Sequence, residues 1–255
     1  GLPADTAISE YAPGQVEINL KHRADALRAA DDAILYKRLV RAVARRHGME
    51  ATFMAKPYAG ETGSGTHLHI SLADGDGGNR FAAEGGDDLL RHAIGGMGAT
   101  IRDGMLVFAP NANSYRRFQT LSYAPLAPSW GVNNRTVALR VPIGPPAAKH
   151  VEHRVAGADA NPYLALAAAL AGMHRGILDR RDPGPPVTGN GYGTPASDIP
   201  PNWLDSIRDF RESALMRDYL GDAFVDAFAK IKLAEYRRFH SQVPPLDFDW
   251  YVKVV

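Results

Sequence analysis

The 255-residue chain contains no cysteine. This absence excludes disulfide bonds, thiolate metal sites and cysteine nucleophiles, and it is typical of proteins in a reducing compartment. Long apolar runs are also missing, because the longest one, YLALAAALAGM at 163–173, is shorter than the roughly 20 residues of a membrane-spanning helix. The first residues, GLPADTAISEY, lack the basic and apolar regions of a signal peptide. We therefore expect a cytoplasmic protein.

A strong charge of either sign is missing as well. The formal net charge is +1, so no global field would draw the protein to nucleic acid or to a membrane surface. The chain has neither basic runs with interleaved aromatic residues nor zinc-finger spacing. With 45% hydrophobic and 22% charged residues, the composition indicates a globular protein of one large domain or two small ones.

The hydrophobic pattern predicts helices and strands in one chain. Apolar residues recur at helical spacing in 23–47, and Asn161-Pro162 is typical of a helix start, with a capping side chain followed by a favoured first residue. Further helices are predicted at 87–106, 203–218 and 222–241. Alternating patterns predict strands at 6–20, 50–58, 66–72, 136–143 and 150–155. The expected fold class is α+β, a large, mostly antiparallel sheet backed by long helices.

The stretch GSGTHLHISL at 63–72 places polar residues on one face of a predicted strand. His67, His69 and Ser71 are spaced by two, so they point the same way, while the intervening Leu68 and Ile70 point to the other face. An isolated histidine on a strand is usually satisfied by a neighbour or by solvent. The histidine pattern therefore indicates a functional site only if other charged residues lie on the same face.

Those residues lie on other predicted strands. Glu152 and Arg154 are two apart and share a face. Glu10 and Glu17 are seven apart, which would place them on opposite faces of a straight strand, but the break at 12–14 lets both face one site. Between these segments lie Arg117, Arg135 and Arg140.

Carboxylates and an imidazole suit Mg²⁺ or Mn²⁺, and arginines suit phosphate and carboxylate groups. Together they favour phosphoryl transfer. The residue pattern by itself indicates no more than an α+β protein with an anion- or metal-binding site.

Five segments, taken in order, resemble the catalytic domain of the glutamine synthetase family. They are EYAPGQVEI, GSGTHLHISL, NANSYRRF, NNRTVALRVP and VEHRVAGADANPYLALAAALAG, all within residues 9–172. The resemblance implies an enzyme, an ATP-dependent ligase that forms a γ-glutamyl amide from glutamate and an amine through γ-glutamyl phosphate. It also implies two divalent ions, Mg²⁺ or Mn²⁺, as cofactors.

The resemblance assigns roles to individual residues. The metal ligands would be Glu10 and Glu17 for one ion, and His67 and Glu152 for the other. The side chains toward ATP and the transferred phosphoryl group would be His69, Ser71, Arg135 and Arg140. Contacts with glutamate would come from Gly63, Arg117 and Arg154. The catalytic arginines would be Arg117 and Arg135.

One departure from the family pattern concerns the amine. Family members that use ammonia carry a glutamate six residues after the arginine that matches Arg117, and this chain has Tyr123 there. This flap position resembles the branch of γ-glutamylpolyamine and γ-glutamylputrescine synthetases, so we expect a polyamine or another alkyl amine as acceptor. Alternatives are a glutamine synthetase proper, which uses ammonia, and a non-catalytic structural member of the family.

The resemblance extends to domain organisation and partners. Residues 1–255 read as one catalytic domain, without the family's N-terminal β-grasp domain and first metal-binding strand, so we expect a fragment with weak or no activity of its own. We expect a homo-oligomeric ring for the full-length protein. The expected partners are small molecules, namely glutamate, an amine and ATP, and neither nucleic acid nor a membrane.

Overall fold

The computed structural model describes residues 1–193 and 199–255 of the chain. Within these ranges the α-helices are α1 (Ala26–Arg46), α2 (Gly86–Phe108), α3 (Ala112–Tyr115), α4 (Pro162–Leu178), α5 (Trp203–Glu212), α6 (Ala214–Leu220), α7 (Asp222–His240) and α8 (Pro245–Tyr251). The strands are β1 (Ala4–Ser9), β2 (Val16–Leu20), β3 (Leu68–Ile70), β4 (Trp130–Val132), β5 (Leu139–Val141) and β6 (Val151–His153). Of the helices in the described ranges, none has the length and apolar character needed to cross a membrane.

The strands form two separate small sheets. β1 and β2 make an antiparallel hairpin, and the other strands form a four-stranded sheet in the order β3-β6-β5-β4. In that sheet β4 and β5 run parallel, while β3–β6 and β5–β6 are antiparallel. The α+β class is confirmed, but the prediction of a large, mostly antiparallel sheet is not.

The segment 50–58 shows why the sheet is smaller than the pattern predicts. This stretch lies outside the strands, because its backbone groups bond to loops instead of to a neighbouring strand. The Ala55 carbonyl accepts from the Ser64 N–H at 2.8 Å. The Lys56 N–H and carbonyl both bond to the side-chain amide of Asn113, at 2.9 and 2.8 Å. Alternation of apolar residues cannot distinguish such an extended loop from a strand.

The core lies between α2 and the sheet on one side and α4 and α5 on the other. Ile94, Met97, Ile101 and Met105 of α2 are at most 1% exposed. Glycines let α2 and α4 approach closely, since a Cβ added at Gly96 would lie 2.2 Å from a backbone oxygen of α4. This packing fixes the four-stranded sheet on a rigid helical layer.

Candidate active site

Glu152 is the centre of a buried cluster on β6. Its Oε1 lies 2.6 Å from Nη1 of Arg154 and 3.0 Å from Nδ1 of His67. Its Oε2 accepts from Nη1 of Arg140 at 2.8 Å. The sheet brings these groups together, because Glu152 is paired with Arg140 on β5 and with His69 on β3. The Glu152 carboxylate therefore contacts three other predicted site residues, namely His67, Arg140 and Arg154.

Burial and neighbouring charges shift the pKa values of the Glu152 carboxyl and the His67 imidazole. Burial alone would raise the pKa of the Glu152 carboxyl, but the hydrogen bond with His67 and the charge of Arg154 outweigh it and hold this pKa well below its usual range. Burial lowers the pKa of the His67 imidazole, although Glu152 acts in the opposite direction. At neutral pH the cluster therefore holds a carboxylate and a neutral imidazole, which are the forms that bind divalent ions.

The spacing of His67 and Glu152 fits a shared ion. Adjacent ligands of an octahedral Mg²⁺ at about 2.1 Å stand about 3 Å apart. The distance between His67 Nδ1 and Glu152 Oε1 is 3.0 Å. A divalent ion bound by both groups would replace their mutual hydrogen bond.

Glu10 and Glu17 lie on the β1–β2 hairpin. The turn at 12–14 reverses the chain, so Ile8 pairs with Glu17 and the Glu10 N–H donates to the Gln15 carbonyl at 2.9 Å. This register places Glu10 and Glu17 diagonally on one face of the hairpin. The expectation that the break at 12–14 lets them share a face agrees with this pairing.

The predicted metal ligands form two pairs instead of one group. Across residues 1–193 and 199–255, no three His, Asp or Glu side chains are spaced to hold an ion together. Mg²⁺ commonly takes one or two carboxylates and completes its shell with water and phosphate oxygens. Two pairs, Glu10 with Glu17 and His67 with Glu152, fit this mode of binding, one ion at each pair.

Gln15 connects the hairpin to the loop before β3. Its Nε2 donates to the Gly63 carbonyl at 3.1 Å and lies 3.0 Å from Ser64 Oγ, and its Oε1 accepts from Thr62 Oγ1 at 2.8 Å. Sequence reasoning missed this residue, although it lies between the two predicted glutamate ligands. The available signal was a glutamine directly after the Pro-Gly pair of a turn, between the two predicted ligands.

Arg140 and Arg154 retain unused donors. The Nε of each is buried and has no hydrogen-bond partner among the described residues. Such orphaned donors beside a single carboxylate fit an anionic ligand. Arg140 Nη2 also donates to Asn133 at 2.7 Å, and Arg154 Nη2 donates to the Arg135 carbonyl at 3.1 Å.

These two contacts lead from the buried cluster to an open cleft. Asn133, Arg135 and Val187 line a cleft of about 600 Å³. The Arg135 side chain is exposed there and makes no side-chain hydrogen bond within the described residues. Of the two predicted phosphate-binding arginines, Arg135 lines the cleft. Arg140 is connected to the cleft through its hydrogen bond with Asn133.

His69 and Ser71 lie on the polar face of β3. Leu68 and Ile70 are buried, whereas His69 is exposed, as the alternation predicts. His69 Nδ1 lies 2.9 Å from His150 Nε2, and Ser71 Oγ lies 3.4 Å from His22 Nε2. Both predicted residues thus share the face that carries His67.

Arg117 has a different environment from the one that its predicted role implies. It is 4% exposed, and its Nη1 and Nη2 donate to the carbonyls of Val155 and Arg154 at 2.7 and 3.0 Å. Burial lowers its pKa to about 10, although Asp159 raises it, so the guanidinium stays charged at neutral pH. Gly63 packs directly on it, since an added Cβ would lie 2.8 Å from Arg117 Cγ. Arg117 therefore binds the backbone of Arg154 and Val155, and the Gly63 loop packs against it.

Tyr123 lies in the flap loop, which we define as residues 119–124. Its φ is 56°, in the left-handed region, and its side chain is 46% exposed. Its ring contacts that of Tyr11, the residue that follows Glu10, with ring centroids 6.0 Å apart. The flap loop therefore touches the hairpin that carries two predicted metal ligands.

Comparisons with known proteins identify relatives of this chain. γ-Glutamylputrescine synthetase PuuA of Escherichia coli (strain K12) is 44% identical over 254 residues, which are 99% of this chain and 54% of that protein. Glutamate–isopropylamine ligase of a Pseudomonas species is 37% identical over 100% of this chain and 57% of its own length. The chain thus spans about half the length of these curated relatives.

Solved structures and a family profile extend the comparison. The structure described as apo GmaS without ligand superposes with a TM-score of 0.88 at 34% identity, covering 99% of this chain and 59% of that one. The profile described as glutamine synthetase, catalytic domain, matches residues 1–251. With its whole length matched in this way, the chain belongs to the glutamine synthetase family and carries that family's catalytic domain.

Proposed function

We propose that this chain is the catalytic domain of an ATP-dependent ligase that joins the side-chain carboxyl of glutamate to a primary alkyl amine. The observation that carries the proposal is the buried Glu152 cluster, in which one carboxylate meets two guanidinium groups with unused donors. The names of three relatives support the alkyl amine. The two ligases compared above are named for putrescine and isopropylamine, and γ-glutamylethanolamide synthetase GlnA4 of Streptomyces coelicolor is named for an ethanolamide.

The proposed reaction has two steps. First, an oxygen of the glutamate γ-carboxylate attacks the γ-phosphorus of ATP, and the bond from that phosphorus to the β,γ-bridging oxygen breaks. γ-Glutamyl phosphate and ADP result. In the second step the neutral amine nitrogen attacks the acyl carbon, and phosphate leaves with the electron pair of the broken C–O bond. Of the three protons of the alkylammonium, one stays on the amide, one goes to phosphate and one to solvent.

The arginines suit the charge that develops in the first step. Charge spreads over the oxygens of the phosphoryl group during transfer, so donors fixed in place lower the barrier. Arg140 and Arg154 are held by Glu152, and the Nε of each has no hydrogen-bond partner in the described part of the chain. Arg135 is the exposed arginine at the neighbouring cleft and would meet the phosphates of ATP as they enter.

The metal pairs would complete this environment. Glu10 with Glu17 would hold one divalent ion and His67 with Glu152 the other. Bound Mg²⁺ or Mn²⁺ would neutralise phosphate charge and polarise the carboxylate. His69 and Ser71, on the same face of β3, would lie toward the nucleotide.

The glutamate substrate would be bound beside β6. Arg154 would face its carboxylate directly. Gly63 would offer a backbone group at the point where its missing Cβ lets Arg117 approach. Arg117, whose guanidinium already binds two carbonyls, would act mainly by fixing Arg154 and the Gly63 loop and by adding positive charge.

The test compares different amines as acceptors, using the protein as its native gene encodes it. ADP release and the mass of the γ-glutamyl product are measured with ammonia, putrescine, spermidine and ethanolamine. We expect an amide product with an alkyl amine at a higher kcat/KM than with ammonia. Preference for ammonia would identify a glutamine synthetase proper. Absence of both metal-dependent ATP binding and product would indicate a non-catalytic family member.

The same assay tests the domain prediction. We propose that the 255-residue chain needs further protein segments for full activity, because it spans about half of its curated relatives. We expect the isolated chain to turn over far more slowly than the natively encoded protein. Equal turnover would refute this part of the proposal.

A further inference from the structure

Two exposed aromatic rings from distant segments meet at the edge of the candidate active site. Tyr11 is 76% exposed and Tyr123 is 46% exposed. Their ring centroids are 6.0 Å apart and the ring planes are inclined by 37°. Tyr11 follows Glu10 on the hairpin, and Tyr123 belongs to the flap loop, so the pair joins the two parts of the site.

The flap loop holds Tyr123 in a costly backbone conformation. Tyr123 has a φ of 56° and Leu121 a φ of 63°. Left-handed backbone is unfavourable for bulky residues and persists only where the surroundings enforce it. Ser122 supplies part of that enforcement, because its hydroxyl lies 3.1 Å from the Arg117 carbonyl and 2.6 Å from the Gln119 carbonyl. The Ser122 hydroxyl therefore ties the flap loop to the backbone at Arg117 and Gln119.

Core packing does not account for the pair, because Tyr11 is mostly exposed and Tyr123 is nearly half exposed. Two tilted ring faces in that position suit one kind of ligand. An alkylammonium brings a cation, which ring faces attract, and methylene groups, which contact the ring carbons. Ammonia shares the charge of this ligand when protonated but offers no methylene group.

We propose that Tyr11 and Tyr123 together form the wall that selects the hydrocarbon chain of the acceptor amine. The inference rests on the proposed ligase function and deepens it, naming the substrate class as primary amines with a saturated hydrocarbon chain. Each methylene removed from water raises affinity about fourfold. The two rings therefore discriminate by chain length.

The experiment measures kcat/KM for ammonia, methylamine, propylamine and butylamine, with ADP release as the readout in the natively encoded protein. The variants are Tyr11→Ala, Tyr123→Ala and Tyr123→Phe, which keeps the ring. Tyr251→Ala is the matched control, because Tyr251 is 50% exposed on α8.

In the unaltered protein we expect kcat/KM to rise with chain length. Each alanine variant should lower the ratio of butylamine to ammonia about tenfold while the KM for ATP stays unchanged. Tyr123→Phe and Tyr251→Ala should keep the ratio. If Tyr123→Ala fails to fold because of its backbone conformation, Tyr11→Ala gives the same test, since Tyr11 has an ordinary φ.

The assay distinguishes an error in the proposed Tyr11–Tyr123 wall from an error in the proposed ligase function. An unaltered protein that releases no ADP with any acceptor overturns the proposed function. An active protein whose alanine variants keep the butylamine-to-ammonia ratio overturns the wall. Equal loss of rate with every acceptor also overturns it and would assign the rings a purely structural role.

Discussion

Replacement of Gln15 by alanine should loosen the active site without removing any residue that contacts substrate or metal. The Gln15 side chain joins the β1–β2 hairpin to residues 62–64 through three hydrogen bonds. Alanine removes all three. The hairpin carries Glu10 and Glu17, so its attachment decides how well these carboxylates are placed.

The size of the effect follows from these bonds. A side-chain hydrogen bond contributes about 0.5–1.5 kcal/mol to folding, and the low end applies to a half-buried side chain. Three such bonds amount to about 2 kcal/mol of the free energy of unfolding. Residues that orient metal ligands typically change metal affinity by about tenfold when removed. We expect the Mg²⁺ concentration for half-maximal activity to rise by about that factor.

The assay combines urea unfolding with a Mg²⁺ titration of ADP release in the natively encoded protein. Gln242→Ala is the control, because Gln242 is exposed after α7 and makes no side-chain hydrogen bond in the described chain. The reasoning would be refuted if Gln15→Ala matched the control in both unfolding free energy and Mg²⁺ dependence. A change in stability alone would limit Gln15 to a structural role.

Three other perturbations test the site. Gly63→Ala puts a Cβ 2.8 Å from Arg117 Cγ, so we expect a loss of about 1–3 kcal/mol in stability. Gly144→Ala, where an added Cβ meets no atom within 4 Å, is its control, and an equal Tm for both would contradict the packing argument. Glu152→Gln removes the charge between two guanidinium groups. We expect about 3 kcal/mol less stability and no measurable ligation, and normal turnover would contradict the central position of Glu152. Chelation of divalent cations by EDTA should stop ADP release, and added Mg²⁺ or Mn²⁺ should restore it. Turnover that survives EDTA would contradict the metal sites.

Local sequence signals predicted the helices well, because caps and apolar spacing act within a few residues. Asn161 accepts hydrogen bonds from the first N–H groups of α4, as predicted. The predicted helix at 203–218 is divided at Ser213, whose hydroxyl caps the second part. A serine in an amphipathic stretch gives no sign of whether it caps or merely faces solvent.

Contacts between distant segments were harder to predict. The ordered motifs indicated the family and the Glu152 cluster, because family resemblance carries information on tertiary contacts that periodicity lacks. The Gln15 contacts span 48 residues or so in the chain, and the Tyr11–Tyr123 contact joins two turns. Neither arises from a local pattern. Arg117 is instructive, since the predicted contact was with glutamate, whereas its observed hydrogen bonds go to backbone carbonyls.

The pairing of Glu152 with Arg140 and His69 across β5, β6 and β3 has a consequence for how such enzymes diversify. Ladder hydrogen bonds fix neighbouring strands about 4.8 Å apart, so these side chains keep their mutual distances whatever happens in the turns. The rings proposed to select the amine lie instead on a hairpin turn and a flap, where replacements leave the ladder intact. If the proposed roles hold, changes in surface turns can replace one amine acceptor by another while the proposed phosphate-binding cluster keeps its geometry.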